Sequence, residues 1–176
     1  MLVLVTACNS GGGLAPIPEV ELPDRAAADY STQSGGALET RYPYYGTNQN
    51  NPLRLAGFLE VCTFTADDSS RITVGLDTLY ADQPTLAALT YRAQAPIEGG
   101  PPSANPSSLY CTQLGGTDSF GGVNTAGGGW ALEDGTDVIS LCVFSDLSVI
   151  DSWGITYHAD GVIREADLSN LLRYTE

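Results

Sequence analysis

Seven basic residues, all of them Arg, stand against 21 acidic ones in a chain of 176 residues, for a formal net charge of −14. Binding nucleic acid needs a basic patch to release counterions, so it is excluded as an expected partner, as is docking on an anionic bilayer by charge alone. With 43% hydrophobic residues the chain can bury the core of one domain or of two small ones.

The first informative stretch is LVTACNSGGG, residues 4 to 13. Val5-Thr6-Ala7-Cys8 has the form of a bacterial lipobox, a short apolar run closing on a small residue before cysteine. This form predicts acylation of Cys8 and a mature chain beginning there. Asn9-Ser10-Gly11-Gly12-Gly13 then supplies a flexible tether. Several acyl chains on one cysteine exceed what stable anchoring requires, so the expected localisation is the cell envelope, at the outer membrane or cell surface. Only Met1 to Ala7 precede the cysteine, without Lys or Arg, and the true translation start is expected further upstream. Export also fixes the redox setting: Cys62, Cys111 and Cys142 lie where disulfides persist, and three thiols allow one bridge and one left over.

Texture divides the rest. Residues 1–7 read as a signal-peptide remnant and 8–52 as tether and linker, since PIPEVELP and RYPYYGTNQNNP are rich in loop-forming residues. Over 53–94, LRLAGFLEVCTFT and RITVGLDTLY flank the turn ADDSS and predict an antiparallel hairpin with Cys62 facing the core. DQPTLAALTYRAQ favours a short helix with Pro84 at its first position, a third strand being nearly as good. APIEGGPPSA, 95–104, reads as a linker between two halves. In 105–176, Asn105 as N-cap, Pro106 at the first helical position and Gly115 beyond the last turn predict a helix. GGWALEDG, DVISLCVFSD and SVIDSWGITYHADG follow as three strands, and EADLSNLLRYTE as a short final helix. The expected class is mainly β within α+β: antiparallel strands in two small halves, the second an αβββ unit.

The second half carries a resemblance. NPSSLYCTQLGG, a strand ending LCVFSD, and a tryptophan a few residues later resemble the small bacterial domain of unknown function 333, often carried under a hemolysin label. Its pattern runs NPAS-x-YC-x-x-x-GG, then C-x-F-P-D-G, then C-x-x-W, and the likeness spans about 104–160. Asn105, Pro106, Tyr110, Cys111, Gly115 and Gly116 match the first block, Cys142, Phe144 and Asp146 the second, and Trp153 the third. The chain departs from the pattern at Ser145-Asp146-Leu147, where the family has Pro-Asp-Gly, and at Ile150, where it has a third cysteine. The family's fourth cysteine is also missing. Their joint absence implies that those two pair with each other, and that Cys111 and Cys142 form the remaining disulfide.

Nothing in the residues builds a catalytic centre or calls for a cofactor. His158 is the single histidine, set in a turn-like Tyr-His-Ala-Asp-Gly, and no G-x-S-x-G elbow presents a nucleophile. The glycine-rich DSFGGVNTAGGG lacks a phosphate-binding spacing, and no Cys/His spacing suits zinc. Asp67-Asp68, Glu133-Asp134 and Asp137 sit in predicted turns, where local hydrogen bonding explains them better than calcium does. Tyr42, Tyr44 and Tyr45 read as packing rather than as a binding surface. The expectation is a non-catalytic envelope lipoprotein contacting a protein or a cell-wall component. The alternative is an inhibitor of a secreted lysozyme or protease, presenting the loop from Asp118 to Gly129. Membrane damage is disfavoured, because no basic amphipathic helix is present.

Overall fold

Two apolar runs with alternating side chains build the centre of the fold in the computed structural model, which describes residues 24–101, 104–118, 126–163 and 166–174. Strands β3 (Leu59–Thr65) and β4 (Arg71–Gly75) form the expected hairpin, in register from Val61↔Gly75 to Thr65↔Arg71. Asp68 closes the turn, accepting from the Ser70 amide at 2.9 Å and its hydroxyl at 2.5 Å. Cys62, Phe64, Ile72 and Val74 face a helical layer, while Val61 packs with Ile139, Leu141 and Val149 on the opposite face.

The expected tether over 8–52 gives way, from Asp24 on, to regular structure. Helix α1 (Asp24–Gln33) leads into β1 (Ala37–Tyr45), the longest strand. Ala37 to Arg41 pair with β3, and Tyr42 to Tyr45 pair with β5 (Gly128–Ala131); Tyr44 and Tyr45 also meet β2 (Leu53–Arg54). The loop-forming residues of RYPYYGTNQNNP, Pro43 among them, hide this strand in the sequence. Pro43 donates nothing to the ladder, though its carbonyl accepts from the Leu55 amide at 2.7 Å. Arg41 is fully buried, its charge met by carboxylates.

The α+β class holds, with an antiparallel sheet of seven strands. Its order is β2-β1-β3-β4-β7-β6, with β5 on β1, where β6 is Leu141–Val143 and β7 is Val149–Asp151. The strands of the two halves therefore share one sheet, through β1·β5 and through Val74↔Ile150. Of the expected three-stranded meander only β6 and β7 form a hairpin. β5 touches that side by a bridge between Trp130 and Ile139, with N–H···O distances of 2.9 and 2.7 Å. Of the Pro/Gly segment 95–104, residues 95–101 have no regular structure but are fastened to α4 (Pro106–Gln113). The Tyr110 hydroxyl donates to the Ala95 carbonyl at 2.7 Å, and Gln113 bridges Pro96 and Glu98.

Three further boundaries differ from expectation. RITVGLDTLY stops being a strand at Gly75 and turns into α2 (Leu76–Leu79), which sends Leu76 and Leu79 into the core. DQPTLAALTYRAQ is helix α3 (Leu86–Ala93), with Thr85 as N-cap, so Pro84 stands before the cap rather than inside. The strand expected through SVIDSWGITYHADG ends at Asp151. That carboxylate accepts from the Gly154 amide at 2.8 Å and starts α5 (Ser152–Ala159). A Cβ on Gly154 would meet Ile72 side-chain atoms at 2.5 Å, so glycine lets α5 lie against β4. The final helix is a single 3-10 turn, Leu168–Asn170.

The sheet face away from the helices carries an ionic network. Arg41 donates through Nε to Glu39 Oε2 at 2.9 Å, through Nη1 to the Asp137 carbonyl at 2.6 Å and through Nη2 to Asp137 Oδ2 at 2.8 Å. Arg71 grips the same carboxylate bidentately, at 2.8 and 2.5 Å. Thr63 donates to Glu39 at 3.0 Å and touches the Thr73 hydroxyl, also at 3.0 Å. Removing the buried cation would leave Glu39 with Thr63 alone and Asp137 with Arg71 alone. Because both carboxylates remain about one-quarter to one-third exposed, the loss belongs at the lower end for a broken buried pair, about 3 kcal/mol. Urea denaturation of Arg41→Ala at pH 7 is expected to show that loss. An unchanged midpoint would mean the network contributes no stability.

Candidate binding cleft

Nearly every residue of the sequence motif has a structural task. Asn105 caps α4, its side-chain oxygen accepting from the Ser107 amide at 3.1 Å, and Pro106 follows at the first helical position. Tyr110 and Phe144 are buried in the core. Cys111 and Cys142 form a disulfide that ties α4 to β6, leaving Cys62 as a buried free thiol. Ser31 of α1 donates to the Cys62 sulfur, and burial pushes that thiol up from its ordinary value. Gly115 sits at φ +86° beyond the helix, the left-handed position foreseen for it. A side chain on Gly116 would strike both disulfide sulfurs. Asp146 accepts from the Ser148 amide at 3.1 Å and from the Leu86 amide at 2.7 Å, so one carboxylate shapes the β6–β7 turn and receives the start of α3. Leu147 supplies the positive φ, 66°, in place of the family's glycine.

Trp153 is the exception. It stands on the first turn of α5, 38% exposed, stacked on Tyr157 with ring centroids 5.7 Å apart and planes 27° from parallel. Both rings border a cleft of about 450 Å³. The hairpin turn contributes Ser69, Ser70 and Arg71 to the walls, the segment entering β6 contributes Val138, Ile139 and Ser140, and the end of β7 contributes Asp151. The sheet produces this convergence: Asp151 lies opposite Leu141 on β6, beside the N-terminal half of β4. Sequence reasoning missed Arg71, Ser140, Asp151 and Tyr157 as neighbours. Only the cap position of Asp151 before Ser-Trp-Gly left a local signal.

Electrostatics single out Asp151. Burial pushes its carboxyl up from 3.8 to about 6, against the Gly154 and Trp153 amides and the Arg71 and Arg41 charges, which pull it down. Asp137, on the far side of Arg71, is held below the ordinary carboxylate range, chiefly by that guanidinium. Two of the other carboxylates weighed for metal are engaged locally. Asp68 holds Ser70, and Asp134 accepts from the Thr136 amide at 3.0 Å and its hydroxyl at 2.6 Å. Among the described residues no group of three His, Cys, Asp or Glu is placed to hold a metal ion.

His158 is not in a solvent-exposed turn. It is buried in α5, stacked on Tyr91 with centroids 3.7 Å apart and planes 2° from parallel. Burial lowers its pKa, against the Asp167 charge and a bond to the Tyr91 backbone, which raise it. Of the tyrosine cluster, Tyr44 is buried, its hydroxyl donating to the Glu133 carbonyl at 2.7 Å, and Tyr42 is half-buried, with the Arg54 guanidinium 3.6 Å from its ring centre. Cys8 lies outside the described residues, as do residues 119–125 of the Asp118-to-Gly129 loop. No helix among the described residues is long and apolar enough to cross a membrane. Comparisons with protein-family models, with curated proteins and with solved structures find no match.

The raised Asp151 pKa has a definite sign. Between pH 3.8 and about 6 the folded state holds the proton more tightly than the unfolded chain does, so stability falls as pH rises through that window. A shift of about two units corresponds to about 3 kcal/mol at neutral pH. Asn keeps the capping oxygen and carries no charge. Asp151→Asn is therefore expected to be more stable than the parent in thermal melts at pH 8, the advantage shrinking toward pH 4. A variant that is equally or less stable at pH 8 would contradict the burial cost.

Proposed function

We propose that this chain is a non-catalytic, lipid-anchored module of the bacterial cell envelope, related to the domain of unknown function 333. In this reading it is held at the outer membrane or cell surface by acylated Cys8 and binds a protein or cell-wall partner. The observation that carries the binding role is the cleft beside Trp153. A large aromatic ring is left 38% exposed there, with Tyr157, Arg71 and Asp151 around the same hollow, whereas the other motif residues serve the core, the turns and the disulfide. Exposed aromatics next to a few polar groups are what recognition surfaces use.

Compartment rests on two supports. The lipobox ending at Cys8 provides the anchor, and the Cys111–Cys142 bridge suits an oxidising environment. The non-catalytic part rests on how the reactive groups are used. His158 is stacked into the core, and Asp137 is clamped by Arg71 and Arg41. Neither is free to move protons for a substrate.

Acylation is the direct test of the anchor. Expressed in bacteria with a complete signal sequence and fed a clickable fatty acid, the parent protein is expected to take up label and to sediment with membranes. Cys8→Ser is expected to lose the label and remain in the soluble fraction. Equal labelling of the two proteins would remove the lipoprotein reading.

A further inference from the structure

We infer that the cleft between Trp153 and Arg71 is a subsite for a neutral pyranose ring of a glycan. The inference rests on the proposed role as an envelope binding module and names the chemistry of its ligand.

Size comes first. A hollow of about 450 Å³ falls within the range of small-ligand sites, and suits one or two sugar rings better than a protein side chain or an extended peptide. The surface chemistry is two-sided. Trp153, 38% exposed and stacked on Tyr157 at the border of the hollow, offers an aromatic ring on which the C–H face of a pyranose can stack without giving up hydroxyl hydration. Residues that carry donors and acceptors border the same hollow: Arg71, Ser69, Ser140 and Asp151. A carboxylate has about four acceptor sites. The amides of Gly154 and Trp153 occupy part of that capacity, and in this proposal sugar hydroxyls would meet the remainder where Asp151 borders the hollow.

Charge decides against other ligands of similar size. A cation such as a quaternary ammonium would find an aromatic face, but also Arg71 at the border of the same hollow. An anion would face Asp151, in a chain of net charge −14. Arg71 already spends a bidentate grip on Asp137, so it lacks the free fork that would select a phosphate or carboxylate. A neutral polyol satisfies both signs without confronting either. The position of Asp151 points the same way. Asn or Ser would cap α5 without a buried charge, yet the fold carries a carboxyl whose burial opposes ionisation, a cost typical of sites kept for a ligand.

Titration calorimetry on the soluble full chain, with Cys8→Ser, uses chitotriose and cellotriose as glycan probes and tetramethylammonium as the cation probe. At least one trisaccharide is expected to bind with a dissociation constant of about 1 mM, ordinary for a shallow site. Trp153→Ala is expected to weaken it about tenfold or more, Trp153→Tyr to retain most of it, and Asp151→Asn to weaken it while folding stably. Circular dichroism checks that each variant is folded, and Leu147→Ala, exposed and outside the cleft, is expected to bind as the parent does. Absence of saturable binding of either sugar up to about 10 mM, ten times that constant, would overturn the inference. So would equal binding by folded Trp153→Ala, or binding of tetramethylammonium alone. Because acylation of Cys8 is measured separately, loss of the glycan inference leaves the anchored-module reading intact, and the converse also holds.

Discussion

Arg41 is the residue on which the architecture turns. Its side chain is fully buried in the middle of the longest strand, and a guanidinium removed from water is tolerable only when its donors are met by charge. Glu39, two residues away on the same face, meets part of it. The rest is supplied by Asp137, across 96 residues of sequence, through both its carboxylate and its backbone carbonyl. Asp137 holds φ at +53° to do so, an unusual backbone for a residue with a side chain. Its second oxygen then engages Arg71. One chain of charges thus fixes β1, the start of β4 and the segment entering β6, and the last two form walls of the cleft.

The opposite face of the sheet is held by apolar packing. All five α-helices of the described residues contribute to one cluster with Phe64, Ile72, Val74 and Ile150, so burying it requires strands from both parts of the chain. The disulfide reinforces this from within the cluster, fastening α4 to β6, and Asp146 from its edge, fastening the β6–β7 turn to α3. Neither contact is local in sequence. With the sheet fixed on both faces, Asp151 can start a helix at the end of β7 and set Trp153 and Tyr157 at the rim of a hollow that the packing leaves open.

What the residues disclose in advance depends on whether the signal is local. Helix α4 was readable because Asn105, Pro106 and Gly115 each perform a local task. The β3–β4 hairpin was readable because its alternation spans a polar turn. β1 was hidden: Arg41 looks solvent-facing until Asp137 is known to lie against it, and Pro43 looks like a breaker until its carbonyl pairs with Leu55. α5 was hidden because Gly154 and the β-like run Val149-Ile150 obscure a helix whose start depends on one cap and on close approach to Ile72. The Cys111–Cys142 pairing came from a resemblance, not from periodicity. The cleft itself had no sequence signature, since it joins the β3–β4 turn, the entry to β6 and the start of α5.

The central physical claim is that both parts of the chain form one cooperative unit, locked by Arg41 and Asp137 on one face and by the shared apolar layer on the other. Native-state hydrogen exchange under increasing denaturant addresses it most directly, because it reports the opening free energy of each paired strand separately. The account predicts that the slowest amides of β3 and β4, such as those of Cys62 and Val74, and those of β6 and β7, such as Cys142 and Ile150, open with a common free energy equal to that of global unfolding. Two separate isotherms, with β6 and β7 opening while β3 and β4 stay protected, would show that the halves are independent and contradict it.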